Sequence, residues 1–295
     1  MEGLNETIEI DARKCVSCGA CIDECRADIF TSGRGSKRGL PSVSHAENCI
    51  RCGHCVALCP KDAIIHRELD ATGFHEVQQG AMEPDDMKNL LLSRRSIRTF
   101  RDKPVPREII EQLIQVATHA GTASNEQSEG FVVIQDRRVV SELDKMVTDV
   151  VWAKLRPLGT SIGRRYARIR YGDEVANQSI SYYERFKARR DSGGLAGLVL
   201  RDAPAVIVVH GKRNNRLAHE NCAIATRNME MLAETCGLGT CWAGFLPIAA
   251  GFTKKIAGSL GVSRDRNIYS AIMVGYPKYA YRKTVPRAER EVRWI

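Results

Sequence analysis

Eight of the eleven cysteines stand in two runs with the same spacing. The pattern C-x2-C-x2-C-x3-C occurs from Cys15 to Cys25 and again from Cys49 to Cys59, where Pro60 follows. In such a run a tight loop directs three thiolates to one 4Fe-4S cube, and the fourth cysteine reaches the other cube. The spacing therefore predicts two 4Fe-4S clusters, with the ligand sets Cys15, Cys18, Cys21, Cys59 and Cys49, Cys52, Cys55, Cys25.

Zinc and disulfides are the two other common uses of paired cysteines. Zinc would require ligand pairs rather than runs of four, and nothing else in the chain is typical of a secreted protein. Arg26 stands where the first run would usually have proline, which removes no ligand. The iron-sulfur interpretation is therefore favoured, and the remaining cysteines are expected to be packed core residues: Cys222, Cys236 and Cys241.

A second group of residues suited to chemistry is the run RRSIRTF from Arg94 to Phe100. It offers three guanidinium groups and a hydroxyl in one short segment, and guanidinium forks match a phosphate. A charged helix end would have the same composition, so this segment alone leaves both interpretations open.

Together these motifs resemble two known families. The stretch from about Ile8 to Arg67 resembles two-cluster bacterial ferredoxins, and the rest resembles the nitroreductase family. The nitroreductase resemblance rests on four motifs in family order: the RRSIRTF run, the N-x-Q turn at Asn125 to Gln127, GLGTCWAGF from Gly237 to Phe245, and VGYP from Val274 to Pro277 with its basic tail. Ferredoxin-nitroreductase fusions are a recognised arrangement.

The resemblance implies FMN bound at a homodimer interface. It places one group at the phosphate and ring edge: Arg94, Arg95, Ser96 and Arg98. Asn125 and Gln127 would reach the flavin, and the backbone around Ala243 and Gly244 would face its reactive edge. A C-terminal cation would complete the phosphate site, with Arg287 preferred over Arg282 and Lys283.

The chain departs from the family after the N-x-Q turn. The family commonly has Pro-Trp there, whereas this chain has Ser128-Glu129, so the pocket wall and the substrate do not transfer. No side chain stands out as the proton donor. The weak candidates are His119, Tyr182, Tyr183 and Arg185, for each of which ordinary packing or solvation is the alternative.

The elements that must position these residues are of the α+β class, since helical patterns alternate with a few buried strands. A nitroreductase-like fold, a mixed sheet surrounded by helices, is expected after a small ferredoxin-like domain. We predict a ferredoxin-like domain over 1–67, a polar linker over 68–85 and an FMN-binding domain over 86–295. A basic, Tyr-containing insertion near 156–194 could form a lid or a solvated helical hairpin.

The length, composition and charge of the chain restrict the classes of protein to which it can belong. With 295 residues, 43% hydrophobic and 27% charged, the chain is expected to form two globular domains. No apolar run is long enough for a membrane helix and the first residues lack a signal peptide, so we expect a cytoplasmic protein. The net charge of +9 lacks a nucleic-acid motif beside it, so nucleic acid is not an expected partner.

The sequence therefore predicts an FMN oxidoreductase that relays electrons through its own clusters to a small organic acceptor, such as a nitroaromatic, a quinone or an activated alkene. The donor could be ferredoxin or NAD(P)H. Reductive dehalogenation or another specialised flavin reaction uses the same cofactors and is the alternative. A redox-sensing binding protein is the third hypothesis.

Overall fold

The computed structural model describes residues 7–32, 39–78, 80 and 82–295. The chain forms two compact units. The first contains Met1–Ala81 together with the short segment Thr122–Glu126, and the second contains Met82–Gly121 and Gln127–Ile295.

The first unit is built from short elements. Two antiparallel strand pairs, β1 (Ile8–Ile10) with β4 (Ile64–His66) and β2 (Phe30–Ser32) with β3 (Pro41–Val43), accompany the helices α1 (Ala20–Glu24) and α2 (His54–Ala57). Its small apolar core is formed by Ile8, Cys21, Ile29, Phe30 and Ile64. Such a small core gains stability if metal clusters bind to the thiols around it.

The second unit contains the long helices and the main sheet. Its helices are α3 (Pro84–Ser93), α4 (Arg107–Thr118), α5 (Arg137–Leu155), α6 (Ser161–Tyr171), α7 (Asp173–Asp191), α8 (Ala218–Thr235), α9 (Phe245–Phe252) and α10 (Lys254–Ser259). Its strands are β5 (Gly130–Ile134), β6 (Ala205–Lys212), β7 (Gly239–Trp242) and β8 (Arg266–Gly275). They form antiparallel pairs in the order β5-β6-β8-β7, and Ser96 adds an isolated parallel bridge to Thr240 in β7.

Helices cover both faces of this sheet. Val206 and Val208 of β6 pack into a core with α5, α9 and α10, whereas Ile207 and Val209 pack into a core with α4 and α8. A strand that is buried on both faces needs a continuous apolar run rather than an alternating one. The predicted α+β class with buried strands is therefore confirmed.

The insertion near 156–194 folds as two helices, α6 and α7. Leu158, Ala167 and Ala176 form a small core of their own, and Arg164 of α6 donates to Glu184 of α7 at 2.5 Å. Phe186 of α7 is buried in the core beside α5 and α9. The insertion is thus a helical hairpin that is anchored on one side of the sheet.

Several predicted boundaries differ from the structure. The chain forms two helices, α9 and α10, rather than one continuous helix, because Thr253 between them is extended and its hydroxyl caps α10 by accepting from Lys255 N at 3.2 Å. In the predicted linker, Leu69 and Phe74 pack beside Gly53 of the first unit, and α3 begins at Pro84. None of the helices formed by the described residues is long and apolar enough to span a bilayer.

Candidate functional site

The cysteines of the two runs come together as two sets of four. One cavity is lined by Cys25 together with Cys49, Cys52 and Cys55. A second cavity is lined by Cys15, Cys18, Cys21 and Cys59. Each set takes three thiols from one run and the fourth from the other, which is the grouping that the spacing predicts. Four thiols around one cavity form the donor set that a 4Fe-4S cube requires.

The backbone of both loops turns toward the thiols. Ser17 and Arg51 have φ angles of 53° and 54°, and their N–H groups donate to Cys15 Sγ at 3.4 Å and Cys49 Sγ at 3.3 Å. This left-handed conformation is uncommon for residues other than glycine and clusters at functional sites. Donors to thiolate sulfur stabilise the negative charge that a bound cluster carries.

The set around Cys49 contains a buried histidine. His66 Nε2 lies 3.4 Å from Cys49 Sγ, and only 6% of the His66 surface is accessible. Burial lowers the pKa of His66, so the neutral imidazole is favoured. Burial also raises the pKa of the Cys49 thiol and raises that of Cys55 to about 11, with neighbouring thiols adding to both effects. Metal binding must therefore displace protons from these thiols.

The N-x-Q turn is divided between the two units. Asn125 belongs to the first unit, where its Nδ2 donates to the carbonyls of Ile50 at 3.0 Å and Arg51 at 2.9 Å. Gln127 belongs to the second unit. Both have positive φ, 54° and 44°, so the turn is held in a backbone conformation that needs surrounding support. The loop between Cys49 and Cys52 is thus bound by a residue that sequence reasoning assigned to the flavin.

The RRSIRTF run lies along the edge of the sheet. Ile97 N donates to Thr240 O at 2.9 Å, next to the bridge between Ser96 and Thr240. Arg94 forms an ion pair with Glu230 at 3.4 Å, and that carboxylate also accepts from Thr240 Oγ1 at 3.2 Å. Glu230 is nearly inaccessible, so the pair fixes the start of the run against α8 and β7.

Arg95 has an unused donor. Its guanidinium donates to the carbonyls of Leu92 at 2.7 Å, Arg94 at 2.8 Å and Lys283 at 3.4 Å. Its buried Nε has no hydrogen-bond partner among the described residues. A buried N–H without a partner is costly, and a phosphate oxygen would satisfy it. Arg282, Lys283 and Arg287 are all exposed, and only Lys283 is placed beside Arg95, through its carbonyl.

The turn at Ala243 and Gly244 links β7 to α9. Ala243 N donates to Ala271 O at 2.8 Å, and its own carbonyl accepts from Leu246 N at 2.8 Å. A side chain at Gly244 would meet open space. The turn therefore has open space beside Gly244.

The four candidate proton donors lie in different surroundings. Tyr182 contacts the ring of Phe245 edge-on at 5.1 Å, and Arg185 lies 5.9 Å from the Tyr182 ring, so both are beside the start of α9. Tyr183 stacks on Trp152 at 5.8 Å. His119 is exposed, and its Nδ1 lies 2.9 Å from Gln115 O at the end of α4. The structure brings two of the four together and places the others in packing and capping positions.

Sequence reasoning missed three polar residues that organise this unit. Glu230 is described above. Asp144, on the buried face of α5, accepts from the N–H groups of Gly197, Val199 and Leu200 at 2.9, 3.0 and 2.6 Å. Arg201 follows that turn with a φ of 54° and is half-buried. The available signal for Asp144 and Glu230 was a carboxylate on an otherwise apolar helix face, which requires a buried partner.

A sheet unit covered by helices, joined to a unit with two sets of four thiols, defines a redox protein. A family model described as the nitroreductase family matches residues 91–276, and one described as a 4Fe-4S dicluster domain matches residues 14–64. The chain therefore belongs to the nitroreductase family, an oxidoreductase family, and carries a 4Fe-4S dicluster domain ahead of it.

Relatives and solved structures agree with this assignment. A protein of Archaeoglobus fulgidus named among NADH dehydrogenase/NAD(P)H nitroreductases is 23% identical over 194 residues, which is 66% of this chain and 87% of that one. Two FMN-bound nitroreductase crystal structures match with TM-scores of 0.53 and 18% identity. The Bacteroides fragilis structure covers 71% of this chain and 99% of its own, and the Desulfitobacterium hafniense structure covers 72% and 100%. An iodotyrosine deiodinase structure has a TM-score of 0.51 at 16% identity, covering 70% and 98%. At these identities the structures establish the fold.

Proposed function

We propose that this protein is an FMN-dependent oxidoreductase that relays electrons through two 4Fe-4S clusters to the flavin and reduces a small organic acceptor. The observation that carries the proposal is the pair of four-thiol sets in a chain of the nitroreductase family. Iron-sulfur clusters pass single electrons, whereas FMN stores two and releases them singly or as a hydride. The chain would then convert one-electron input into two-electron chemistry.

The proposal assigns the flavin phosphate to the RRSIRTF run. Arg95 has the buried, unpaired Nε–H that suits a phosphate oxygen, while the ion pair with Glu230 holds Arg94 beside it. Arg287 is proposed as the C-terminal cation of the same site. The remaining flavin contacts are proposed for Ser96, Arg98, Asn125, Gln127 and the backbone of Ala243 and Gly244. We propose that two copies of the chain form the homodimer at whose interface the flavin binds.

The donor and the acceptor follow from the chemistry. Electrons from reduced ferredoxin would enter through the clusters, whereas NAD(P)H would deliver a hydride directly to the flavin. Two electrons and two protons convert a nitro group to a nitroso group and water, and quinones or activated alkenes take the same two electrons. A reducing cytoplasm is the proposed location, because cysteine thiolates persist there as metal ligands.

The test is anaerobic purification followed by measurement of iron, sulfide and released flavin. The proposal expects about eight irons and one FMN per chain, and flavin bleaching when reduced ferredoxin or NAD(P)H is added. A Cys55→Ala variant should keep FMN but lose bleaching by ferredoxin, because one cluster is missing. Zinc in place of iron, or a protein without flavin, would overturn the proposal. Halide release from a halophenol in the acceptor panel would favour reductive dehalogenation instead.

The phosphate assignment has its own test. Arg95→Ala should weaken FMN binding by about tenfold or more, since it removes a charged donor from the phosphate. Riboflavin lacks the phosphate, so its affinity should change little. Arg138→Ala removes an exposed arginine at the start of α5 and is the control. Equal loss of both flavins would show that Arg95 supports the fold rather than the phosphate.

A further inference from the structure

A cavity of about 620 Å³ lies in the second unit, between the end of α9, the helix α10 and the start of β8. Its walls include Phe252 at the end of α9, Lys254 at the start of α10 and Tyr269 of β8. Two buried apolar residues, Val262 and Ile268, form part of its lining. A cavity of this volume is large enough for a small-molecule ligand.

Among the described residues, four cationic side chains and no carboxylate line this cavity. Arg213 follows β6, Lys254 begins α10, Arg264 lies in the loop before β8, and Arg266 begins β8. The neighbouring Asp265 is exposed and does not line the cavity. One negative charge therefore stands against four positive charges, and a cleft with such a balance attracts an anion.

Two of these arginines are held in place by the fold. Arg213 donates from Nε to Asn267 Oδ1 at 3.3 Å and from Nη2 to Arg264 O at 2.6 Å. Arg266 donates from Nε to His210 Nδ1 at 2.7 Å. Each acceptor is a neutral group, since a ring nitrogen that accepts carries no proton. Both guanidinium groups are thus positioned without losing their positive charge.

Aromatic rings flank the same cavity. Phe252 is 57% exposed, and Lys154 Nζ lies 4.4 Å from the centre of its ring. The ring of Tyr269 packs edge-on against His219 at 6.2 Å, which fixes its orientation. An exposed aromatic ring in a wall that also carries cations is suited to stack on a planar group of a bound ligand.

This cavity is separate from the site proposed for the flavin. The cavity beside Arg95 is lined by Tyr276 and shares no lining residue with it. Arg266 begins the ten-residue strand β8 and Tyr276 follows its end, so roughly 30 Å of extended chain lie between them. Gly244 precedes α9 and Phe252 ends it, so the length of that helix, about 12 Å, lies between the cavity and the proposed flavin edge.

We infer that this cavity is a second ligand site, which binds a phosphate ester with a planar aromatic group, as in a nucleoside monophosphate. The cations suit the phosphate, and the ring of Phe252 suits the aromatic group. Free phosphate would leave the aromatic wall unused, and an uncharged nucleoside would leave the cations unused. FMN belongs to the same class of compounds and is the competing occupant.

The experiment titrates AMP by calorimetry into the protein that is purified with its iron and saturated with FMN. A single AMP should bind per chain, and adenosine and inorganic phosphate should each bind at least about tenfold more weakly. Lys254→Gln and Arg264→Gln should each weaken AMP by about tenfold, because each removes one cation from the phosphate. Both side chains are exposed, so the variants should fold. Arg216→Gln removes an exposed arginine outside the cavity and is the matched control.

Phe252→Ala tests the aromatic wall separately. It should weaken AMP by about fivefold or more and leave the affinity for inorganic phosphate unchanged. Tyr166→Ala, which removes an exposed ring from α6, should change neither affinity. The affinity for FMN should be the same in every variant.

Three results would overturn the inference. They are AMP that binds no more tightly than phosphate or adenosine, equal weakening of AMP by Arg216→Gln, and loss of FMN from the Lys254→Gln protein together with displacement of AMP by excess FMN. The last result would place the flavin in this cavity. If the purified protein takes up no flavin, the proposed function fails, while the AMP titration still decides this site.

Discussion

The two cysteine loops of the first unit have the same backbone conformation but different surroundings. Positive φ angles occur at corresponding places, at Ser17 and Arg51 and again at Asp28 and Asp62. Seven residues after the last cysteine of each run, however, the first half has the exposed Ser32 and the second has the buried His66, which contacts Cys49.

The second loop also has a partner from far along the chain. Asn125 binds the carbonyls of Ile50 and Arg51, and it is separated from them by 75 and 74 residues. Two halves with equivalent ligands can therefore give a bound cluster different hydrogen bonds and different solvent exposure, and these two properties set the reduction potential. The comparison leads us to expect that a cluster bound by the Cys49 loop would be the one whose potential depends on residues outside the cysteine runs, namely His66 and Asn125.

The largest expected effect comes from removing the fourth ligand of each set. Cys59→Ala and Cys25→Ala should each reduce iron and sulfide to about half, because each thiol belongs to one cluster. The cluster that Cys59→Ala retains should be the one beside His66. Adding His66→Ala should then shift its potential, whereas the cluster that Cys25→Ala retains should not respond. The opposite pattern would assign the two fourth cysteines to their own runs.

The next effect concerns His66 alone. With the proton on Nε2, His66 donates to Cys49 Sγ, and this donor stabilises the more negative, reduced cluster. His66→Ala should lower the potential of that cluster by roughly 20 to 60 mV, the one-electron equivalent of one hydrogen bond. An EPR-monitored redox titration measures it, with the equivalent and exposed Ser32→Ala as the control. Equal potentials in all three proteins would mean that His66 only packs against the loop.

Sequence reasoning succeeded where the chemistry is local. The cysteines line two cavities in the two sets that the spacing predicts, with three thiols from one run and the fourth from the other. The ends of α4 are also marked in the sequence, by Pro106 before the helix and Gly121 after it. Roles that depend only on neighbours along the chain are readable from the chain.

Sequence reasoning failed where a residue makes its contacts with residues that are distant along the chain. Strand β7 has only four residues, and its identity comes from pairing with β8 and from the bridge to Ser96. The second role of Asn125 and the placement of Arg201 depend in the same way on contacts that only the folded chain creates. A four-residue strand is too short to show the alternation of apolar and polar residues that identifies longer strands. The sequence also does not indicate that a polar side chain such as that of Asn125 has a partner 75 residues away.

The smallest effect tests the bond between Asn125 and the Cys49 loop. Asn125→Ala removes two hydrogen bonds to carbonyls and should destabilise the loop by about 1 kcal/mol. Iron should then be lost to a chelator about fivefold faster from the Cys49 cluster, while the Cys15 cluster keeps its rate. Gln127→Ala is the matched control: it alters the other half of the N-x-Q turn, in the second unit, so flavin affinity should fall while the rate of chelation stays unchanged. If both variants lose iron at the rate of the unsubstituted protein, Asn125 serves the flavin and the two loops are held equally well.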